Sequence, residues 1–114
     1  MKAGTSRRKG VEWERVVARR LAEVFGKRAV RRGLQYRDGG ECPDVIAPAF
    51  WIECKAGRLT NPRAALRQAV MESARKGLWP IAICKDDKAD AHVTMGFEDF
   101  LELLSEWQTF RSSK

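Results

Sequence analysis

Residues 43–55 read Pro43-Asp44-Val45-Ile46-Ala47-Pro48-Ala49-Phe50-Trp51-Ile52-Glu53-Cys54-Lys55, and the pairing of the two halves of this stretch decides the fold. Val45 to Ala47 and Phe50 to Lys55 are short, rich in β-formers and separated by Pro48, which suits a turn. They read as two antiparallel strands. If Ala47 pairs with Phe50 across a two-residue Pro48-Ala49 connection, Asp44 falls directly opposite Glu53. Opposed residues on antiparallel strands share a face, with Cβ atoms about 4.5–5.5 Å apart. The period of two then sets Trp51, Glu53 and Lys55 on that face and Phe50, Ile52 and Cys54 on an apolar one. Two facing anions repel, so the pairing invites a cation, with the Lys55 ammonium beside it. Tight hairpins favour Gly or Asn, and the Pro-Ala connection departs from that habit.

Working outward, Gly10 to Phe25 reads as an amphipathic helix with Trp13, Val17, Leu21 and Val24 on one stripe, ended by Gly26. At about 100° per residue Glu14 lies inside that stripe, between Leu21 and Phe25, whereas Glu12 lies on the wet side. An ionised Glu there is costly to bury unless a cation or donors meet it. A short strand is expected within Arg28 to Tyr36, and Asp38-Gly39-Gly40 marks a loop. Asn61 caps a helix that opens on Pro62 and runs to about Lys76. Trp79 to Cys84 is a buried strand, Ala91 to Met95 a further one, and Phe97 to Trp107 a final acidic helix. Helix, strands, helix, strands, helix implies an α/β fold with a central mixed sheet flanked by helices.

With 114 residues the chain suits one domain, here 10–114, preceded by a basic flexible arm at 1–9. Its formal charge is +7, unevenly spread: residues 1–37 hold twelve Lys/Arg against three Glu, and the remainder ten against twelve acidic groups. The basic third is the footprint expected of a polyanion binder, nucleic acid above all. Cys42, Cys54 and Cys84 are odd in number and form no C-x-x-C pair, which argues against a disulfide framework or a zinc site. No apolar run approaches a membrane span and no signal peptide is evident, so the expected location is cytoplasmic, or host cytoplasm for a phage-encoded chain. The four tryptophans sit in periodic apolar contexts and read as core or interface; His92 is a lone histidine in a strand; Asp86 to Asp90 reads as a solvated loop.

A D-x8-E-x-K pattern is short enough to arise as an exposed cross-strand charge ladder. A second motif makes it specific. Arg8-Lys9-Gly10-Val11-Glu12-Trp13-Glu14-Arg15 resembles the R-x-G-x-x-x-E-R opening of archaeal-type Holliday-junction resolvases, members of the PD-(D/E)xK nuclease superfamily, and Pro43-Asp44 with Glu53-Cys54-Lys55 resembles that superfamily's core. The similarity runs loosely from Arg8 to Cys84, and the last helix resembles that of small phage-borne members.

The resemblance implies a restriction-endonuclease-like core and a single nuclease domain. It implies a catalytic set of Glu14, Asp44, Glu53 and Lys55, in which Glu14, Asp44, Glu53 and the Cys54 carbonyl hold Mg²⁺, with Mn²⁺ as a substitute. Lys55 would orient or help deprotonate the attacking water. Arg8, Lys9 and Arg15 are implied as DNA contacts; the family arginine ahead of the aspartate falls within one residue of Arg37, with Arg31 and Arg32 as the other candidates. Gln68 matches a glutamine found on the helix after the E-x-K strand. The implied activity is a metal-dependent endodeoxyribonuclease that cleaves four-way DNA junctions in recombination and repair, acting on branched DNA as a homodimer with no small-molecule cofactor. Two other functions fit the same residues: a superfamily endonuclease for restriction, nicking or repair, and a non-catalytic nucleic-acid-binding domain.

Overall fold

The computed structural model describes residues 2–33 and 42–113. Arg37, the end of the expected Arg28–Tyr36 strand and the Asp38-Gly39-Gly40 loop lie outside the described residues. The chain runs α1 (Lys2–Phe25), a 3-10 turn (Lys27–Ala29), β1 (Arg31–Arg32), β2 (Val45–Ile46), β3 (Phe50–Gly57), α2 (Pro62–Glu72), β4 (Trp79–Asp86), β5 (His92–Met95) and α3 (Phe97–Ser112). One five-stranded sheet in the order β1-β2-β3-β4-β5 carries the fold. It is mixed: β3 and β4 are parallel and every other neighbouring pair is antiparallel.

The β2–β3 hairpin has the register expected from the sequence, with Val45 opposite Ile52 and Ile46 opposite Trp51. The paired ladder ends there: the Asp44 N–H donates to the Ile52 carbonyl at 2.9 Å although Val45 already faces Ile52, so Asp44 sits one residue out of register, as at a bulge, and not directly opposite Glu53 as the sequence led us to expect. The Pro-Ala connection works because Ala49 takes a left-handed φ of 72°. That is the conformation a type II turn needs after a proline, adopted here without glycine. The Ala49 carbonyl is then anchored by the Trp79 N–H at 2.9 Å.

Each sheet face carries its own core. On one, Val45, Ile52, Cys54, Ile81 and Ile83 pack against Val17 of α1, with Trp13 and Leu21 at the margin. Trp13 also donates its indole N–H to the Ile83 carbonyl at 3.0 Å, so it is a structural tryptophan. On the other, Ala82 and Cys84 meet Ala65 of α2. Small side chains on both sides let α2 approach β3 and β4 closely. The strand β4 is buried across Pro80 to Cys84, as a central strand covered on both faces must be.

Several boundaries differ from the sequence reading. The first helix is described from Lys2, not Gly10, so it takes in residues 2–9 of the segment 1–9 expected to form an arm. The second helix ends at Glu72, four residues short of Lys76: Ser73 caps it, and Arg75 and Gly77 take left-handed φ values of 67° and 72° that reverse the chain. Its start is as expected, with the Ala64 N–H donating to Asn61 Oδ1 at 3.1 Å. The last helix reaches Ser112, not Trp107. None of the three cysteines forms a disulfide. Among the described residues no helix is long and apolar enough to cross a membrane.

Candidate active site

Sheet geometry and two helices bring the chemistry to one end of the hairpin. Asp44 stands where the chain enters β2, and its position depends on Gly33. The Gly33 N–H donates to the Asp44 carbonyl at 2.9 Å, and a Cβ at Gly33 would run into the Pro43 carbonyl oxygen. Only glycine permits that approach. Asp44 Oδ2 in turn accepts the Cys54 N–H at 2.8 Å, which ties the aspartate to the strand that carries Glu53 and Lys55.

Glu53 is the most unusual residue of the fold. It is 1% exposed, flanked by Trp51 and Cys54 in the core, and its Oε2 has no hydrogen-bond partner. Burial, then the charge and hydrogen bond of Asp44, then the charge of Glu72 push its carboxyl up from 4.5 to about 8, against the pull of Lys55. A buried carboxyl of this kind keeps a proton at neutral pH unless positive charge arrives to replace it. Lys55, two residues on and so on the same face, is exposed at the mouth of the pair.

Glu14 reaches this place from α1. Burial and the nearby Asp44 raise its carboxyl, while Arg32 and Lys55 hold it down. The Arg32 guanidinium donates from Nε at 3.2 Å and from Nη2 at 3.1 Å to Glu14 Oε1. Arg32, expected among the DNA contacts, is thus the clamp of an acidic residue. The helix angles that chose Glu14 over Glu12 agree with this: Glu12 pairs with Arg15 on the surface at 3.7 Å.

No protein-family model, curated protein or solved structure matches the chain. What the site can hold therefore rests on its own donors. Among the described residues no group of three or more His, Cys, Asp or Glu side chains stands in coordinating positions. The Asp44–Glu53 pair nonetheless fits a hard divalent cation: the two carboxyls are close enough to act on each other by charge and hydrogen bond, and one buried Glu53 oxygen lacks any partner. Glu14 lies within the field of Asp44, and Arg32 occupies its Oε1, so Oε2 is the oxygen it has to offer a cation. Cys54 presents no thiolate, because burial and then the surrounding carboxylates raise its thiol.

The remaining expected residues are dispersed. Arg8 and Lys9 line a cavity of about 480 Å³ with Trp13, Val16, Ala56 and Lys85. Lys9 Nζ meets the Asp87 carboxylate at 3.1 Å, so the acidic turn is partly engaged. Asp86 is no free loop residue either: it ends β4 and accepts from the Thr60 N–H at 2.8 Å and hydroxyl at 2.6 Å, which hold its carboxyl below the ordinary value. Arg15 and Arg31 are exposed. Gln68 does not reach the strand: its amide donates to Glu72 Oε2 at 3.0 Å, one turn along α2. Glu72, close enough to act on Glu53 through its charge, was not singled out from the sequence. The signal available was its α2 spacing: Ala65, Ala69 and Glu72 fall at i, i+4 and i+7, one face of one helix.

Proposed function

We propose that this chain is a Mg²⁺-dependent, structure-specific endonuclease with a PD-(D/E)xK-type core, cutting four-way or otherwise branched DNA as a two-fold homodimer. The observation that carries the reading is the buried Glu53 Oε2, partnerless beside Asp44, with an exposed lysine two residues away. Structural carboxylates are seldom buried in this state, since the arrangement costs stability until a cation arrives. The Asp44 and Glu53 carboxylates would hold the ion, with Glu14 and the Cys54 carbonyl as further oxygen donors.

A bound divalent cation supplies charge for the phosphoryl oxygens and lowers the pKa of a coordinated water. The chain provides the rest. Lys55 presents its ammonium at the site mouth, where it orients the attacking water and offsets charge that grows on the scissile phosphate. Arg32 holds Glu14 by two hydrogen bonds to Oε1 and opposes the rise that burial and Asp44 impose on its carboxyl. Arg8, Lys9 and Lys85 rim the cavity beside Ala56, next along β3 from Lys55, together with Glu12 and Asp87; with Lys9 paired to Asp87, Arg8 and Lys85 are the cations it offers a phosphate backbone away from the reacting bond. A junction presents two phosphates related by two-fold symmetry, which suits one active site per protomer.

The test is incubation of purified protein with a four-way junction, a linear duplex and a single strand, each with Mg²⁺ or EDTA. Paired symmetric nicks on the junction alone, abolished by EDTA, are the expected result. Equal cutting of the linear duplex would favour a restriction, nicking or repair endonuclease. Binding without cutting under every condition would make the fold a nucleic-acid-binding domain.

A further inference from the structure

The cavity beside Ala56 does not end at Trp13. A second cavity, of about 580 Å³, runs on from it, and Trp13, Val16 and Lys85 line both. Together they make one groove, with α1 as one bank and the turn at 87–91, between β4 and β5, as the other. Its floor is apolar: Val17, Leu21 and Ile83 continue it beyond Trp13 and Val16. The bond from the Trp13 indole to the Ile83 carbonyl fixes the ring that both cavities share. The far bank is fixed as well. Lys85 Nζ donates to the Ala89 carbonyl at 2.8 Å and to the Asp86 carbonyl at 3.3 Å, which braces the turn. The Lys9–Asp87 pair ties one bank to the other. A groove held open in this way loses little freedom when it is filled.

Charge says what fills it. Lys9 and Asp87 offset each other, as do Glu12 with Arg15 at 3.7 Å and Arg20 with Glu23 at 3.3 Å. That leaves Arg8, Lys85 and Lys88 against Asp90 along the rim. An apolar floor under a positive rim suits a chain with flat apolar faces and an anionic backbone, which describes an unpaired nucleic-acid strand. A duplex keeps its bases stacked inside and would leave the floor uncovered. The groove also opens at Ala56, the residue after Lys55, so a strand lying in it is continuous with the proposed cutting site. Arg8 and Arg20, at its two ends, are twelve residues apart on α1, about 18 Å at 1.5 Å per residue. At a spacing of about 3.4 Å, about five nucleotides cover that length.

We propose that this groove holds an unpaired DNA strand beside the branch point, with bases on the Trp13–Val16 floor and phosphates along Arg8, Lys85 and Lys88. This deepens the proposed function by adding a single-stranded segment to its substrate, and rests on that reading only for the strand's part in cleavage.

The experiment is fluorescence anisotropy of the full chain with labelled oligothymidylates of two, six and twelve nucleotides, a twelve-pair duplex and a twelve-unit abasic strand, all in EDTA so that nothing is cut. Affinity is expected to rise at least tenfold from two nucleotides to six and to change little from six to twelve. The abasic strand, which keeps the phosphates and lacks the bases, is expected to bind at least tenfold more weakly than the twelve-nucleotide strand, and so is the duplex. Val16→Glu, which sets a carboxylate in the floor, should weaken strand binding at least tenfold and leave duplex binding within twofold. Lys88→Glu should weaken strand binding about threefold and flatten its salt dependence. Equal binding of the abasic and thymidylate strands by wild type would overturn the proposal, and that comparison decides the matter if Val16→Glu fails to fold. Strand binding indifferent to a folded Val16→Glu would overturn it too. A protein that cuts junctions but treats the two strands alike loses this groove and keeps its proposed function; one that prefers the thymidylate strand but cuts nothing keeps the groove and loses the nuclease.

Discussion

Replacing Glu53 by Gln keeps the shape and removes the group's capacity to ionise, and the consequence depends on pH. The ordinary carboxyl value of 4.5 applies to the unfolded chain, and the folded value is about 8. Between those values the folded chain holds a proton that the unfolded chain has released. Its stabilisation is therefore fully present below about pH 4.5 and is lost as pH rises through about 8. The difference sets an upper limit on the order of 5 kcal/mol at pH 9. Relaxation and water entry around Glu53 reduce it, so we expect about 2–3 kcal/mol. For a chain of this size that is about 10 °C in Tm.

Thermal denaturation followed by circular dichroism in EDTA, from pH 5 to 9, reads this directly. Wild type is expected to lose about 10 °C between pH 5 and 9, and Glu53→Gln to lose far less, so that the variant is the more stable protein at pH 9. Saturating Mn²⁺ at pH 8 should restore wild type and leave the variant unmoved. A flat wild-type profile, coincident with that of Glu53→Gln, would refute the claim that burial and Asp44 hold the Glu53 carboxyl raised.

The other expectations concern neighbouring parts of the site. Lys55→Ala should lower junction cleavage by at least about 100-fold while leaving binding within a few fold, since affinity comes from the basic surface; gel-shift and cleavage assays on one preparation separate the two. Gly33→Ala forces Pro43 away and should destabilise the chain by about 1–3 kcal/mol in urea denaturation, with loss of cleavage as Asp44 moves. Ala49→Gly relieves the left-handed turn residue and should stabilise by about 0.5–1 kcal/mol in the same assay, with cleavage unchanged. Arg32→Ala leaves Glu14 without its clamp and should destabilise by about 1–2 kcal/mol, read by urea denaturation at pH 7.

The central hairpin was legible because two rules agreed on it: strand periodicity assigned the faces, and the turn length fixed the register that pairs Val45 with Ile52 and Ile46 with Trp51; the offset at Asp44, whose N–H turns to the Ile52 carbonyl, was not. Glu14 was legible from helical angle, since a carboxylate within an apolar stripe needs a partner. That partner was not legible. Arg32 follows from how β1 crosses α1, a relation between segments that no local pattern encodes. Glu72 was hidden for a similar reason, as its approach to Glu53 depends on Ala65 and Ala69 letting α2 settle on the sheet. Gly33, inside the expected Arg28–Tyr36 strand, carried no signal of its own, because the Pro43 carbonyl that it meets comes from a distant segment. Helix ends were read least well: Gly10 and Gly77 suggested boundaries, but α1 runs through the first and α2 stops short of the second.

Calorimetric titration of Mn²⁺ into the protein at pH 7, repeated in buffers of different ionisation enthalpy, tests most directly whether Asp44 and Glu53 form a cation site. Saturable binding should release about one proton per ion bound, because the carboxyl that holds a proton at this pH must give it up. The signal should vanish in Asp44→Asn/Glu53→Gln. Absence of saturable heat in wild type, or equal binding by the double variant, would contradict the account.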